Sequence, residues 1–241
     1  MNNYSAIARR KLLKFGAVLL GTGLVTKATA SRANTAIEKE TTIAFDILDE
    51  NAAPEKVLEE LLAGNQRFVG NKAQSPNQDY LRLKEVSKEQ KPLVSLISCA
   101  DSRVPIEIIF DRGLGDLFIV RNAGNIVTPE EIGSLEYGTV VLRSKILMVL
   151  GHEKCGAVKA ALDGKPLPGQ MGSIVAAIQP AIDRTRQNDS EEYYMETVKH
   201  NVTLQVEKLK SSPLLYDLVR QGQLKIVGAY YSLQDGKVSM I

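Results

Sequence analysis

The hydrophobic positions of the chain fall into helical stripes separated by short, mainly apolar runs. After Pro54 the apolar residues keep helical spacing to about residue 70, and longer helical patterns cover 172–187 and 191–210. Another helix is predicted from Thr128 to about Leu142, because this threonine is followed by a proline and two acidic residues. Five strands are predicted from apolar runs at 93–98, 117–120, 146–150, 224–231 and, as a short edge strand, 237–241.

The predicted strands lack a regular polar alternation and are separated by helices. This pattern is typical of a mostly parallel sheet that is covered by helices on both faces. We therefore predict a single α/β domain over residues 54–241. In such sheets ligands bind beyond the carboxyl ends of the strands, so the residues that follow Ser98, Val120 and Leu150 are candidates for chemistry.

The first thirty residues differ from the rest of the chain. They hold five basic residues and no acidic one, and their basic stretch precedes an apolar run and the small residues Ala28-Thr29-Ala30. This order predicts a signal peptide over residues 1–30, and Arg9-Arg10 resembles a twin-arginine export signal. The apolar run Phe15–Val25 would span about 16 Å as a helix against a hydrocarbon core of about 30 Å, so contact with a membrane is expected only during export. The alternative is an uncleaved amphipathic tail.

Residues 31–53 are predicted to form a linker, since they begin with small, polar and charged residues. The alternating Ile43, Phe45 and Ile47 suit a short extended arm within it. An exported chain would act in a periplasmic or otherwise extracytoplasmic space.

Composition narrows the choice of function. The formal net charge is +2 over 241 residues, and without the first thirty residues 25 basic groups face 28 acidic ones. This balance gives no reason to expect nucleic acid as a partner. Two cysteines are too few for a disulfide-dense secreted scaffold.

Both cysteines and one of the two histidines stand at predicted strand ends. Cys99 follows the first strand, and His152 and Cys155 follow the third. Two thiolates and one imidazole suit zinc, and three protein ligands leave the fourth position open, as in catalytic zinc sites. The cysteines could instead form a disulfide or be small buried hydrophobic residues. His200 could close the site as a fourth ligand, although its helical context favours a residue on the helix surface.

Four ordered motifs give the chain a family resemblance. They are Cys-Ala-Asp-Ser-Arg at 99–103, Gly-Asp-Leu-Phe-Ile-Val-Arg-Asn-Ala-Gly-Asn at 115–125, Ser-Leu-Glu-Tyr at 134–137 and Gly-His-Glu-Lys-Cys-Gly-Ala at 151–157. From about residue 55 to its end the chain resembles the β-class carbonic anhydrases. The resemblance implies one zinc ion per chain on Cys99, His152 and Cys155. It also implies reversible hydration of CO₂ to bicarbonate and a proton by zinc-bound hydroxide.

The resemblance assigns further roles. Asp101 and Arg103 would form a catalytic dyad, in which the arginine keeps the carboxylate ionised and the carboxylate orients the nucleophile; in another form of the family this aspartate occupies the fourth zinc position. The alternative for this pair is an ordinary ion pair or a helix cap. The substrate-binding residues implied by the resemblance are Gln90, Phe118, Ala123, Tyr137 and the backbone N–H of Gly156.

The family also implies a homodimer or a higher even oligomer, with pocket residues from both subunits. Leu96 stands where some bacterial members carry a tryptophan of an inhibitory bicarbonate site, so that control is not expected here. Two other functions stay open at this point: hydrolysis of a CO₂ isostere, such as carbonyl sulfide or carbon disulfide, on the same zinc site, and a non-catalytic zinc or redox module in which Cys99 and Cys155 are paired.

Overall fold

The computed structural model describes residue 48, residues 51–185 and residues 191–241. All of these belong to one compact unit, Thr42–Ile241. The predicted signal peptide, the predicted arm at 43–47 and most of the predicted linker lie outside the described residues. Among the described residues, Leu48 and Ala52 pack against the core of the sheet. No helix in this described part combines the length and the apolar character needed to cross a membrane.

Five strands form the sheet: β1 (Val94–Cys99), β2 (Leu117–Asn122), β3 (Ile146–His152), β4 (Lys225–Tyr231) and β5 (Val238–Met240). The helices are α1 (Pro54–Val69), α2 (Tyr80–Val86), α3 (Ile106–Ile109), α4 (Pro129–Glu136), α5 (Gly156–Asp163), α6 (Met171–Arg184), α7 (Glu191–Lys210) and α8 (Pro213–Arg220). A π-helical turn, Tyr137–Val141, follows α4 directly.

The strands are arranged in the order β2-β1-β3-β4-β5. The first four run parallel, and β5 pairs antiparallel with β4 at one edge. The predicted α/β class, the mostly parallel sheet and the short edge strand are therefore confirmed. The carboxyl ends of β1 and β3 are neighbours in this order, and each carries candidate ligands.

Alternate residues of each strand face opposite layers, as the pleat of a strand requires. Leu96 and Met148 pack with α1 and α3 on one face, whereas Ile97 and Val149 pack with α7 and α8 on the other. All six residues of β1 and all seven of β3 are buried. Burial on both faces explains why these two strands lack a regular alternation of polar and apolar residues.

The observed ends of some elements differ from the predicted ones. β3 continues through Gly151 to His152. A Cβ atom on Gly151 would lie 2.5 Å from Val202 Cγ2, so this glycine permits the close approach of α7 instead of ending the strand. The helix after Thr128 begins at Pro129, as predicted, but ends at Glu136, where the π-helical turn takes over.

Candidate metal centre

Three potential ligands meet where two neighbouring strands end. Cys99 is the last residue of β1, His152 is the last residue of β3, and Cys155 is the N-cap of α5. One ligand atom from each of the three residues lies within 4.8 Å of the other two. Cys99 is 5% exposed, and His152 and Cys155 are fully buried. The fold therefore brings together the cluster that the sequence predicts.

The imidazole of His152 is oriented for a metal. Its Nδ1 donates a hydrogen bond to the carbonyl oxygen of Glu153 at 2.8 Å, since a carbonyl can only accept. The lone pair then lies on Nε2, which is buried and has no hydrogen-bond partner among the described residues. An unsatisfied buried nitrogen costs free energy, and a metal ion would remove that cost.

The two cysteines are free thiols with their sulfur atoms 3.9 Å apart. The structure therefore gives no support to a disulfide between them. The thiol of Cys155 donates to Cys99 and lowers the pKa of Cys99, an effect that burial opposes and the N–H of Gly124 reinforces. The same hydrogen bond, together with burial, raises the pKa of Cys155. A divalent cation would favour both thiolates, and two thiolates with one imidazole form a donor set suited to zinc.

Asp101 lies beside this cluster and is held by Arg103. The guanidinium binds both carboxylate oxygens, with Nε–Oδ1 at 2.9 Å and Nη2–Oδ2 at 2.8 Å, and it also donates to the carbonyl of Lys154 at 3.1 Å. The hydrogen bonds from Arg103 hold the pKa of Asp101 well below its usual range. Asp101 Oδ2 is 3.9 Å from His152 Nε2, so an ionised carboxylate faces the predicted metal position.

The resemblance did not assign a role to Arg121, which supports the same segment from β2. Its guanidinium donates to the carbonyl of Cys99 at 3.1 and 3.0 Å and to that of Asp101 at 2.8 Å. The residue lies within the motif at 115–125, but its contacts depend on the pairing of β1 with β2. Tyr194 is a second such residue: its hydroxyl donates to the carbonyl of Cys155 at 2.6 Å. Nothing in the helical pattern around Tyr194 distinguishes it.

Two of the predicted pocket residues are adjacent to the cluster. Ala123 precedes Gly124, whose backbone N–H donates to Cys99 Sγ at 3.3 Å. Gly156 follows Cys155 as the first residue of α5 and has open space where a Cβ atom would stand.

The other three predicted pocket residues lie toward the opposite end of the sheet. Phe118 pairs with Ser95, four residues before Cys99, which is about 13 Å along the strand. The rings of Phe118 and Tyr137 are 6.1 Å apart, and Tyr137 is 47% exposed. Gln90 is exposed in the loop before β1. A single chain thus does not place Gln90, Phe118 and Tyr137 at the metal cluster.

His200 is not part of the cluster. It is half-buried on α7, and its Nδ1 lies 2.8 Å from the hydroxyl of Thr185. It lies in a helix and outside the ligand set, as predicted, but it is half-buried instead of lying on the helix surface.

Comparisons with known proteins point to one family. A family model described as carbonic anhydrase matches residues 94–238. The chain is 36% identical over 194 residues to carbonic anhydrase 2 of Mycobacterium tuberculosis, which covers 78% of this chain and 92% of the relative. It is 35% identical over 195 residues to the carbonic anhydrase of Mycolicibacterium smegmatis, with 79% and 94% covered.

Solved structures share the fold. The β-carbonic anhydrase of Coccomyxa in complex with acetazolamide superposes with a TM-score of 0.62 at 28% identity, over 76% of this chain and 86% of that one. The tetrameric β-carbonic anhydrases of Sordaria macrospora include a chain with a TM-score of 0.62 at 23% identity, over 76% and 96%.

Proposed function

Since this chain is an enzyme of the β-class carbonic anhydrase family, we propose that it catalyses the reversible hydration of CO₂ to bicarbonate and a proton with one zinc ion per chain. Cys99, His152 and Cys155 hold the zinc. The observation that carries this proposal is the buried Nε2 of His152, which lies beside two thiol sulfurs without a hydrogen-bond partner among the described residues.

A zinc ion bound there supplies the Lewis acidity that makes hydroxide available from water near neutral pH. Cys99 and Cys155 as thiolates offset its formal charge, so the acidity is weaker than with three imidazoles, and activity rises with pH. The carbonyl of Glu153 fixes the imidazole of His152 with Nε2 toward the cluster.

Asp101 orients the nucleophile. Its Oδ2, which lies 3.9 Å from His152 Nε2, would accept a hydrogen bond from the nucleophile at the metal position and so orient it toward CO₂. Arg103 keeps the carboxylate ionised and fixed through two parallel hydrogen bonds. Arg121 fixes the backbone of this segment through its hydrogen bonds to the carbonyls of Cys99 and Asp101. Ala123 and the N–H of Gly156 line the substrate position next to the ligands.

The active pocket is completed by a second copy of the chain, which makes the enzyme a homodimer or a higher even oligomer. Gln90, Phe118 and Tyr137 from the partner copy line the substrate position, because within one chain they lie toward the far end of the sheet. The exposure of Tyr137 in one chain is consistent with this arrangement. Oligomers occur among similar folds, as in the tetrameric enzymes of Sordaria macrospora.

Export places the enzyme in a periplasmic or otherwise extracytoplasmic space. The order of basic residues, apolar run and small residues in the first thirty positions supports this proposal. Replacement of Arg9-Arg10 by two lysines should leave the protein in the cytosol with its N-terminus uncleaved, as read by fractionation and mass spectrometry. Unchanged export would contradict the twin-arginine route.

Stopped-flow measurement of CO₂ hydration tests the function. The purified, zinc-loaded protein is scanned from neutral to alkaline pH, with zinc per chain and free thiols measured on the same sample. Zinc-dependent turnover that rises with pH supports the proposal. A zinc-loaded oligomer without turnover would contradict it and point to a CO₂ isostere as substrate, and a disulfide without zinc would point to a redox module.

A further inference from the structure

Two amide side chains of α7, Asn201 and Gln205, are buried near the metal cluster without belonging to it. Asn201 is 1% exposed and Gln205 is fully buried. They stand four residues apart and therefore share a helix face. Gln205 Nε2 donates to Asn201 Oδ1 at 2.9 Å. Buried amides cost free energy unless their polar atoms are hydrogen-bonded, so their other partners are informative.

Those partners lie in the loop that joins β2 to α4. Asn201 Nδ2 donates to the carbonyl oxygen of Gly124 at 2.9 Å, and Gln205 Oε1 accepts from the backbone N–H of Val127 at 2.9 Å. These bonds fix the orientation of both amides, because a flipped Asn201 would turn its oxygen toward the Gly124 carbonyl and its NH₂ group toward Gln205 Nε2. The pair thus holds both ends of a four-residue segment.

The backbone of this segment needs such support. Gly124 has φ of 82° and Asn125 has φ of 46°, so two consecutive residues adopt the left-handed conformation. A Cβ atom on Gly124 would lie 3.0 Å from Ala157 and 3.0 Å from Ile178, so the turn also sits in tight packing. In this conformation the N–H of Gly124 points at Cys99 Sγ at 3.3 Å.

A hydrogen bond to a thiolate alters the Lewis acidity of the metal that the thiolate binds. The N–H group draws negative charge from the sulfur, so the sulfur donates less charge to the metal, and the metal stays a stronger Lewis acid. The amide pair on α7 is thereby connected to the electronic character of the site through the backbone of one residue, Gly124.

We propose that Asn201, supported by Gln205, is a positioning residue of the metal centre, which holds the Gly124 carbonyl so that the Gly124 N–H stays on the Cys99 sulfur. This inference rests on the proposed function, because it concerns the same zinc site. A purely structural role would tie α7 to the loop without affecting the metal.

The hydrogen bond can be observed directly in the wild-type protein. With cadmium-113 in place of zinc, a scalar coupling through the sulfur should connect the cadmium nucleus with the amide proton of Gly124. The protons of Cys99, Cys155 and His152 should correlate with the same nucleus and serve as an internal reference. Reference correlations without a Gly124 signal would overturn the proposal, and this test needs no variant to fold.

Substitutions test the role of Asn201. Asn201→Asp keeps the shape and an acceptor for Gln205 but removes the donor to Gly124. We expect zinc affinity to fall by about 10-fold or more. In the cobalt-substituted protein the thiolate-to-metal charge-transfer band should move to lower energy, because the sulfur keeps more charge. Asn201→Ala should act in the same direction where it folds.

Thr197→Val is the matched control. Thr197 is also buried on α7, and among the described residues its hydroxyl donates to a carbonyl of the same helix, that of Tyr193, at 2.8 Å. The control should keep the wild-type zinc affinity and cobalt spectrum even if its Tm falls. An Asn201→Asp protein with a lowered Tm but a wild-type spectrum and affinity would show that the amide is structural only.

Failure of this inference is separable from failure of the proposed function. A protein that binds metal with the Gly124 coupling but does not hydrate CO₂ would sink the function and leave the positioning role intact. A protein that hydrates CO₂ but shows no coupling between cadmium and the Gly124 amide proton would support the function and overturn the positioning role. A protein that binds none of the three metals would overturn both.

Discussion

The guanidinium of Arg103 binds both oxygens of the Asp101 carboxylate, while Oδ2 of that carboxylate lies 3.9 Å from His152 Nε2. This relationship joins a fixed, ionised carboxylate to the predicted metal position. Because Asp101 is not itself a zinc ligand in the proposal, its replacement should lower the rate of CO₂ hydration without loss of zinc.

Asp101→Asn should keep one zinc per chain but lower kcat for CO₂ hydration by about 100-fold or more. The amide keeps the size of the side chain but loses the charge that Arg103 holds. Arg103→Lys should fall between this variant and the wild type, since lysine cannot form the two parallel hydrogen bonds. Stopped-flow kinetics with zinc analysis measures both quantities. A fully active Asp101→Asn would remove the dyad from the mechanism.

If each active site combines the metal ligands of one chain with pocket residues of its partner, two inactive variants should complement each other in a mixed dimer. Cys155→Ser breaks the metal site of its own chain, and Gln90→Ala breaks the pocket that it offers to its partner. A hybrid dimer, purified through two different tags, should contain one intact site and recover about half the wild-type activity per dimer. The two parent homodimers are the controls. A hybrid no more active than the parents would place the whole pocket within one chain.

Gly124→Ala should destabilise the protein by about 1–3 kcal/mol and weaken zinc binding. The residue has φ of 82°, and a methyl group there meets Ala157 and Ile178 at 3.0 Å, so the Gly124 N–H would leave Cys99. Gly133→Ala is the control, because Gly133 lies within α4 and a Cβ there meets nothing within 4 Å. Thermal melts and zinc competition distinguish the two. Equal Tm values and zinc affinities of the two variants would contradict the claim that a side chain at Gly124 strains the turn.

A buried ion pair away from the metal predicts a pH-dependent stability. Arg67 Nε lies 2.6 Å from Asp111 Oδ2, and the Asp111 side chain is 1% exposed. Burial alone would raise the pKa of Asp111, but hydrogen bonds from Arg67 and from the backbone N–H groups of Ser75 and Gln74 outweigh it and lower the pKa. The ionised carboxylate therefore stabilises the fold above its unfolded pKa of about 3.9, and this contribution is lost as the pH falls through the folded value.

Arg67→Gln should accordingly cost about 2 kcal/mol of unfolding free energy at neutral pH. The difference from wild type should shrink below about pH 4, where the unfolded carboxyl is protonated. Lys56→Gln is the control: its ion pair with Glu59 is exposed, and its loss should cost at most about 0.5 kcal/mol. Denaturant titrations across pH give the comparison. A difference that does not change with pH would contradict the role of the charge.

The local sequence pattern was sufficient to predict those residues of the site that lie at strand ends. Cys99 and His152 end β1 and β3, so a parallel sheet predicts that they lie at the same edge, and the observed strand order makes them neighbours. Gly151 shows what the local pattern does not reveal. The predicted strand ended just before this glycine, but the glycine lies inside β3 and is needed there because Val202 of α7 packs against it. Asn201 and Arg121 were not predicted to support the site, because their partners are far away in sequence and a polar residue in a helix or strand gives no sign of burial or of a long-range bond.

The central claim is that Cys99, His152 and Cys155 hold one zinc ion. A zinc-edge X-ray absorption spectrum of the purified protein tests it most directly. We predict two sulfur neighbours at about 2.3 Å and light-atom neighbours at about 2.0–2.1 Å, one of them an imidazole nitrogen. The same spectrum of Cys155→Ser should lose one sulfur or the metal itself, although serine is a good N-cap for α5. A zinc ion bound without sulfur, or a reduced protein that takes up no zinc, would contradict the account.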